Sequence, residues 1–158
     1  MGFDRVVTGF QSDFAAREGG QGAFAFAKHT VVEKVGNQLQ VAFMEIPPGR
    51  SAFPYHWHDS ITEAYVILSG TGRVRTPEGE FDVGPGQVVV FPPGPQGAHR
   101  MTNTGTEPLR YVDLDTTADP DGCHYPDSGK TAIISARGYA MWRDADTVDY
   151  YEGEPDAE

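Results

Sequence analysis

The sequence predicts an all-β fold, a sandwich or barrel, on three observations. No stretch of residues 29–116 carries the 3.6-residue period of an amphipathic helix. Short runs rich in Val, Ile, Phe and Tyr recur there instead. The 19 glycines and 12 prolines punctuate those runs at close, regular intervals, which is how tight turns are written.

Each element follows from those signals. HTVVEKV and QLQVAFMEI flank Gly36-Asn37, which reads as a two-residue hairpin turn with glycine at positive φ. Pro47-Pro48-Gly49 stops the second of these strands. EAYVILSG leads into GTGRVRTPEGEFDVGPG, where Pro77-Glu78-Gly79 makes another hairpin. QVVVFPPG is a β-branched run ended by prolines. AHRMTNTG follows, and Gly105 to Pro108 turns the chain into LRYVDLDT. About eight strands are expected between residues 30 and 116. The expected organisation is an N-terminal arm (1–28), a barrel (29–117) and a C-terminal extension with an acidic tail (118–158). In that extension TADPDGCHYPDSGK reads as loop, and ARGYAMWRDADTVDYY as a strand and a short helix.

Composition narrows the function. A chain of 158 residues with 39% hydrophobic and 22% charged residues suits one soluble domain with a real core. A net charge of −11 repels polyanions, so nucleic acid is not an expected partner. No apolar run reaches membrane-spanning length, and MGFDRVVTGFQSDF has no apolar stretch of the signal-peptide kind. The single Cys123 cannot form an internal disulfide and suits the cytoplasm; it reads as a structural thiol.

The chemistry concentrates in PYHWHDSITEAYVILSG. Alternation in a strand puts His56 and His58 on one face, roughly 7 Å apart at their Cα atoms, with Trp57 on the other. Two imidazoles so placed can converge on one ion. Glu63 opens the next apolar run and shares a face with Tyr65 and Ile67. A carboxylate entering an apolar layer needs a compensating cation or hydrogen bonds. An isolated His-x-His is commonly a surface pair, so a further donor strengthens the reading. His99 supplies one, at a strand start beside a Gly/Pro turn. His29 and His124 lack such company and read as surface or packing residues. Phe43, Phe91 and Met101 are expected to wall the pocket. Tyr65 is a candidate proton donor, but a barrel-wall role takes precedence.

GRSAFPYHWHDSITEAYVILSG resembles the first motif of the cupins, with Gly49, His56, His58, Glu63 and Gly70 at its positions. GQVVVFPPGPQGAHRMTN resembles the second, through Gly86, Pro92, Gly94, His99 and Asn103. Two spacings depart from the family: six residues separate Gly49 from His56 where five are usual, and four separate Gly94 from His99 where two are usual. The resemblance implies a double-stranded β-helix, or jelly-roll, barrel. It implies that His56, His58, Glu63 and His99 hold one divalent transition metal ion: Zn, Fe, Mn, Ni, Cu or Co. Gly49, Gly70, Gly86 and Gly94 then serve turns, and Asn103 caps one. The expected activity is on a small organic molecule, with the metal as Lewis acid or dioxygen-activating centre. The alternatives are a non-catalytic binding or sensor module with a structural metal, and a metal-free cupin using a His–Tyr pair. Small cupins commonly pair, and the outward Trp57 suggests a homodimer interface.

Overall fold

The computed structural model describes Phe10 and residues 17–156. Its strands are β1 (Arg17–Gly19), β2 (Phe26–Val32), β3 (Leu39–Ile46), β4 (Trp57–His58), β5 (Glu63–Ser69), β6 (Gly72–Thr76) and β7 (Gly79–Val83). They continue with β8 (Val88–Phe91), β9 (Arg100–Asn103), β10 (Leu109–Thr116), β11 (Asp121–Tyr125), β12 (Lys130–Ser135) and β13 (Gly138–Arg143). One sheet has the order β1-β2-β3-β10-β5-β8; the others run β7-β6-β9 and β13-β12-β11-β4. Every strand pairing is antiparallel. The arrangement is the expected all-β jelly roll, in which the large sheet faces the two smaller ones.

Alternation builds the core. On β3, Ala42, Met44 and Ile46 are buried and their neighbours are not. On β10, Leu109 and Tyr111 do the same. Met44, Ile46, Leu109 and Tyr111 meet Ile67, Phe91, Val74 and Met101 in one apolar cluster. Burying each such side chain contributes about 1.5–3 kcal/mol. Phe43 is a correction to the expected pocket wall. Its place in the β3 alternation puts it on the face opposite Met44, with His29 on β2 and Val112 on β10 as register partners, and Phe10 lies edge-on against it at 5.0 Å.

The turns explain two further points. Pro47 to Arg50 is a hydrogen-bonded turn with Gly49 at φ +71°, as the PPG signal requires. The Gly36-Asn37 connection is wider than a two-residue hairpin. Residues 33–38 all lie outside the strands, because Asn37 Nδ2 donates to the Glu33 carbonyl and stabilises an open loop.

The largest correction lies after residue 117. The stretch read as loop contains β11 and the start of β12. β11 hydrogen-bonds to β4, with Cys123 opposite His58 and His124 opposite Trp57. Trp57 stacks on His124 at 4.0 Å and 13°. The aromatic surface that suggested a partner chain is therefore covered from within the same chain. The downstream ARGYAMWRDADTVDYY segment holds β13 and a short 3-10 turn at Asp144–Asp146, as expected.

Candidate metal centre

β4 and the bridge before it aim two imidazoles inward. His56 and His99 exchange backbone hydrogen bonds, His56 N to His99 O at 3.1 Å and His99 N to His56 O at 2.9 Å. Their rings lie 4.7 Å apart. The longer connection between Gly94 and His99 is taken up by a 3-10 turn, Pro95–Gly97. Gly97 fits there because a Cβ would fall on the Pro92 carbonyl. Across the barrel Glu63, Tyr65 and Ile67 share a buried face of β5, as alternation predicts.

These elements bring the four sequence-predicted donors together. Glu63 Oε2 lies 3.2 Å from His99 Nε2, 3.7 Å from His56 Nε2 and 3.8 Å from His58 Nε2. Each imidazole is oriented by its other nitrogen. Nδ1 of His56 faces the Pro54 carbonyl at 2.8 Å, and Nδ1 of His99 faces the Gly97 carbonyl at 2.9 Å. Nδ1 of His58 faces Asp121 Oδ2 at 2.6 Å. A carbonyl or carboxylate partner requires the proton on Nδ1, which leaves Nε2 as the lone pair of a neutral ring.

The Nε2 atoms of three imidazoles and a carboxylate oxygen thus face one another. Burial pushes His56 down to about 4, helped by the neighbouring His58, and pushes His99 well below the usual imidazole range. Burial also lowers His58, but the Asp121 hydrogen bond outweighs it and holds the ring up at about 10. Glu63 rises to about 7 through burial. A metal ion here would take the place of the His58 Nε2 proton and compensate the buried carboxylate. The donor spacing suits one. Donors about 2.1 Å from a common ion stand about 3.0 Å apart at a right angle and about 3.6 Å apart at 120°. The separations of the three Nε2 atoms from Glu63 Oε2 fall near this range, while His58 groups with His56 and Cys123 and not with His99. His56, Glu63 and His99 form a buried group able to hold a metal.

Other residues complete the site. Tyr65 is both wall and neighbour: it is buried, and its hydroxyl lies 3.1 Å from His99 Nε2. Phe91 stacks on His99 at 3.6 Å, which fixes the ring from behind. Met101 lies in the adjoining core. Asn103 caps its turn as expected, donating to the Ile46 and Glu107 carbonyls and accepting from Gly105 N. His56, His58 and Glu63 open onto a cavity of about 430 Å³ that Lys28, Asp113, Asp115 and Cys123 also line.

Sequence reasoning missed Asp121, Cys123, Asp113 and Asp115. The last two carried a signal: LRYVDLDT alternates, so the face that begins with Leu109 and Tyr111 continues into two carboxylates. Asp121 and Cys123 also alternate, but Pro120, Gly122 and Pro126 around them read as turn.

Similarity to known proteins agrees. A glucose-6-phosphate isomerase of Pyrococcus abyssi is 43% identical over 63 residues, covering 37% of this chain and 32% of that protein. One from Thermococcus litoralis is 35% identical over 94 residues, covering 52% and 48%. The match therefore spans a third to a half of these relatives' length. In structure, a protein of Acidithiobacillus ferrooxidans described as a sugar phosphate isomerase superposes with a TM-score of 0.77 over 87% of this chain and 90% of that one. At 24% identity the likeness is one of fold. Residues 42–115 match the sequence model of the Cupin domain. That match lies within the jelly-roll barrel, so residues 42–115 form the cupin-like part of the chain.

Proposed function

We propose that this chain is a metal-dependent isomerase that interconverts the aldose and ketose forms of a phosphorylated sugar. The observation that carries this reading is the convergence of three imidazole Nε2 atoms on Glu63 Oε2 at the edge of the cavity. The isomerase relatives supply the substrate class. His56, Glu63 and His99, with His58 beside them, would hold the ion. When bound, it supplies Lewis acidity toward the carbonyl and hydroxyl oxygens of an open-chain sugar.

The chain's own residues supply the rest. Isomerisation moves a hydrogen between adjacent carbons, so a proton carrier near the cavity is useful. Asp115 lines the cavity, and burial together with neighbouring Asp113 pushes it up to about 9, so it keeps a proton at neutral pH. Beside it, Asp113 Oδ2 accepts from Lys28 Nζ at 3.0 Å, which fixes the neighbouring carboxylate at the cavity wall. Phe26 and Phe53, 4.7 Å apart, wall the cavity against water. Lys34, on the lining, pairs with no carboxylate among the described residues and suits the phosphate end.

The soluble partner in this reading is a small molecule. A cytoplasmic location and a homodimer stay part of this proposal, though the Trp57 face that suggested pairing is covered by β11; no helix of the described residues is long and apolar enough to cross a membrane. One observation favours the metal-free His–Tyr alternative, since the Tyr65 hydroxyl can satisfy the His99 lone pair by itself.

Assay of aldose–ketose interconversion on glucose 6-phosphate and related sugar phosphates, with and without chelator, tests the proposal. Chelator-sensitive turnover restored by one metal is expected. Turnover indifferent to chelator would move the chemistry to Tyr65 and His99. Bound metal without turnover on any sugar phosphate would leave a binding module.

A further inference from the structure

Cys123 is the chain's single cysteine, and the structure moves it from an expected loop to the wall of the metal pocket. Three alternating residues of β11 meet the histidines. Asp121 binds His58 Nδ1 at 2.6 Å, Tyr125 stacks on His56 at 5.9 Å, and Cys123 Sγ lies 3.9 Å from His58 Nε2. Cys123 lines the same cavity as His56, His58 and Glu63. It also forms with His56 and His58 a group whose donor atoms all lie within 4.8 Å of one another.

The spacing is that of two donors on one ion. Nitrogen at about 2.1 Å and sulfur at about 2.3 Å from a metal stand about 3.6 Å apart at a tetrahedral angle and about 3.9 Å apart at 125°. Asp121 holds Nδ1, so Nε2 is the His58 atom that faces this side and the one a metal ion would take once its proton leaves. His56 belongs to both donor sets: to His56–Glu63–His99, which offers nitrogen and oxygen, and to His56–His58–Cys123, which offers nitrogen and sulfur.

We propose that Cys123 is a metal donor, and that with His56 and His58 it gives the pocket a second, softer face for thiophilic ions such as zinc, cadmium or cobalt. Binding replaces the thiol proton, which leaves to solvent, and forms a metal–sulfur bond with no change of oxidation state. Soft sulfur raises preference for these ions over manganese or magnesium, which an all-nitrogen-and-oxygen cupin set does not do. The inference rests on the metal reading of the pocket and not on the sugar reading.

Titration of the full chain with cobalt(II), followed by absorption, tests it. Thiolate on cobalt(II) gives an intense near-ultraviolet charge-transfer band beside the weaker visible bands that any ligand set gives. The wild type should show both, and Cys123→Ser should keep the visible bands and lose the near-ultraviolet one. A wild-type spectrum with visible bands alone overturns the thiolate and leaves the metal site standing. Failure to take up cobalt at all overturns both. Competition gives an independent readout: the cadmium-over-manganese preference should fall by about tenfold or more in Cys123→Ser. An unchanged preference overturns the proposal even where the variant's spectrum is ambiguous. Isomerase inactivity alone leaves it intact.

Discussion

His99 and His58 hold neighbouring positions in one pocket but are aimed by opposite means. His99 is set by its own turn. Gly97, two residues back, accepts from its Nδ1, the Pro95–Gly97 turn spaces it, and Phe91 backs the ring. His58 is set by Asp121, 63 residues away on β11. Asp121 does more than orient the ring: its Oδ1 accepts from Ser60 N at 3.0 Å, and Gly122 O accepts from Asp59 N at 2.8 Å. The turn that delivers Glu63 is thus pinned by the same distant strand. One half of the site is local and the other half depends on β11 docking.

The comparison breaks if the two histidines do not serve one ion. His99→Ala and His58→Ala should each lower metal affinity by more than about 100-fold, beyond the range of outer-shell changes. Metal analysis of tag-free protein checks this. Loss in one variant with full occupancy in the other would split the site. Asp121→Ala sharpens the comparison next, because it removes only the distant support. Affinity for the same ion should fall about 10- to 100-fold, with Asp121→Asn intermediate because its amide oxygen still accepts from Nδ1–H. Equal affinity in Asp121→Ala and wild type would show that β11 contributes nothing to His58.

This difference is also what made the site half legible. His56, His58 and His99 sit near Gly/Pro turns, Glu63 opens the strand after the Asp59–Thr62 turn, and strand alternation predicts the faces of His56 with His58 and of Glu63 with Tyr65. Turn chemistry acts over a few residues, so it is written locally. Asp121 and Cys123 owe their place to strand pairing between β4 and β11, which no local pattern specifies. A two-residue strand such as β4 and a strand flanked by prolines, such as β11, leave almost no periodic trace. Phe43 failed for a related reason: its run QVAFMEI is apolar on both faces, so alternation did not reveal which face was inside.

The local half can be tested by crowding its turn. Gly97→Ala would set a Cβ against the Pro92 carbonyl, and the backbone before His99 must shift. Overpacking of this kind costs about 1–3 kcal/mol. At roughly 2–4 °C per kcal/mol for a chain of this size, thermal unfolding should show it. Metal affinity should fall with it, since the shift lies two residues from the ligand. A variant as stable as wild type, with weakened metal, would mean that the turn aims His99 without holding the fold.

The acids sharpen the contrast further. Asp121 has His58 beside it, whereas Asp113 and Asp115 crowd each other and Glu63, with Lys28 as the facing cation. Burial and Asp113 raise Asp115 from 3.8 to about 9. The folded state therefore binds this proton more tightly than the unfolded chain. The cost is absent below about 3.8, grows as pH rises toward about 9, and is constant above. Asp115→Asn keeps the shape without the charge, so it should stabilise metal-free protein at pH 8 and have little effect at pH 4. Denaturant unfolding at the two values measures this. Equal effects at both would show that Asp115 is not held protonated.

The smallest expected effect concerns how firmly β11 is docked. His124 lies flat on Trp57 and meets Asp59 Oδ1 at 3.1 Å, opposite the face that carries Cys123. Stacked aromatic pairs contribute about 0.5–1.5 kcal/mol beyond their buried area, and the partly exposed His124–Asp59 contact adds little. His124→Ala should therefore lower stability by about 1 kcal/mol. If docking of β11 is what sets His58, the same change should weaken metal binding slightly, while His99 and its turn stay as they are. Hydrogen exchange separates the two halves: faster exchange should appear at Asp59 N, whose bond goes to Gly122 O, and not at His99 N, whose bond goes to His56 O. Equal acceleration at both amides would mean that the local and distant supports open as one unit, and that the contrast between the two histidines holds for their aim but not for their stability.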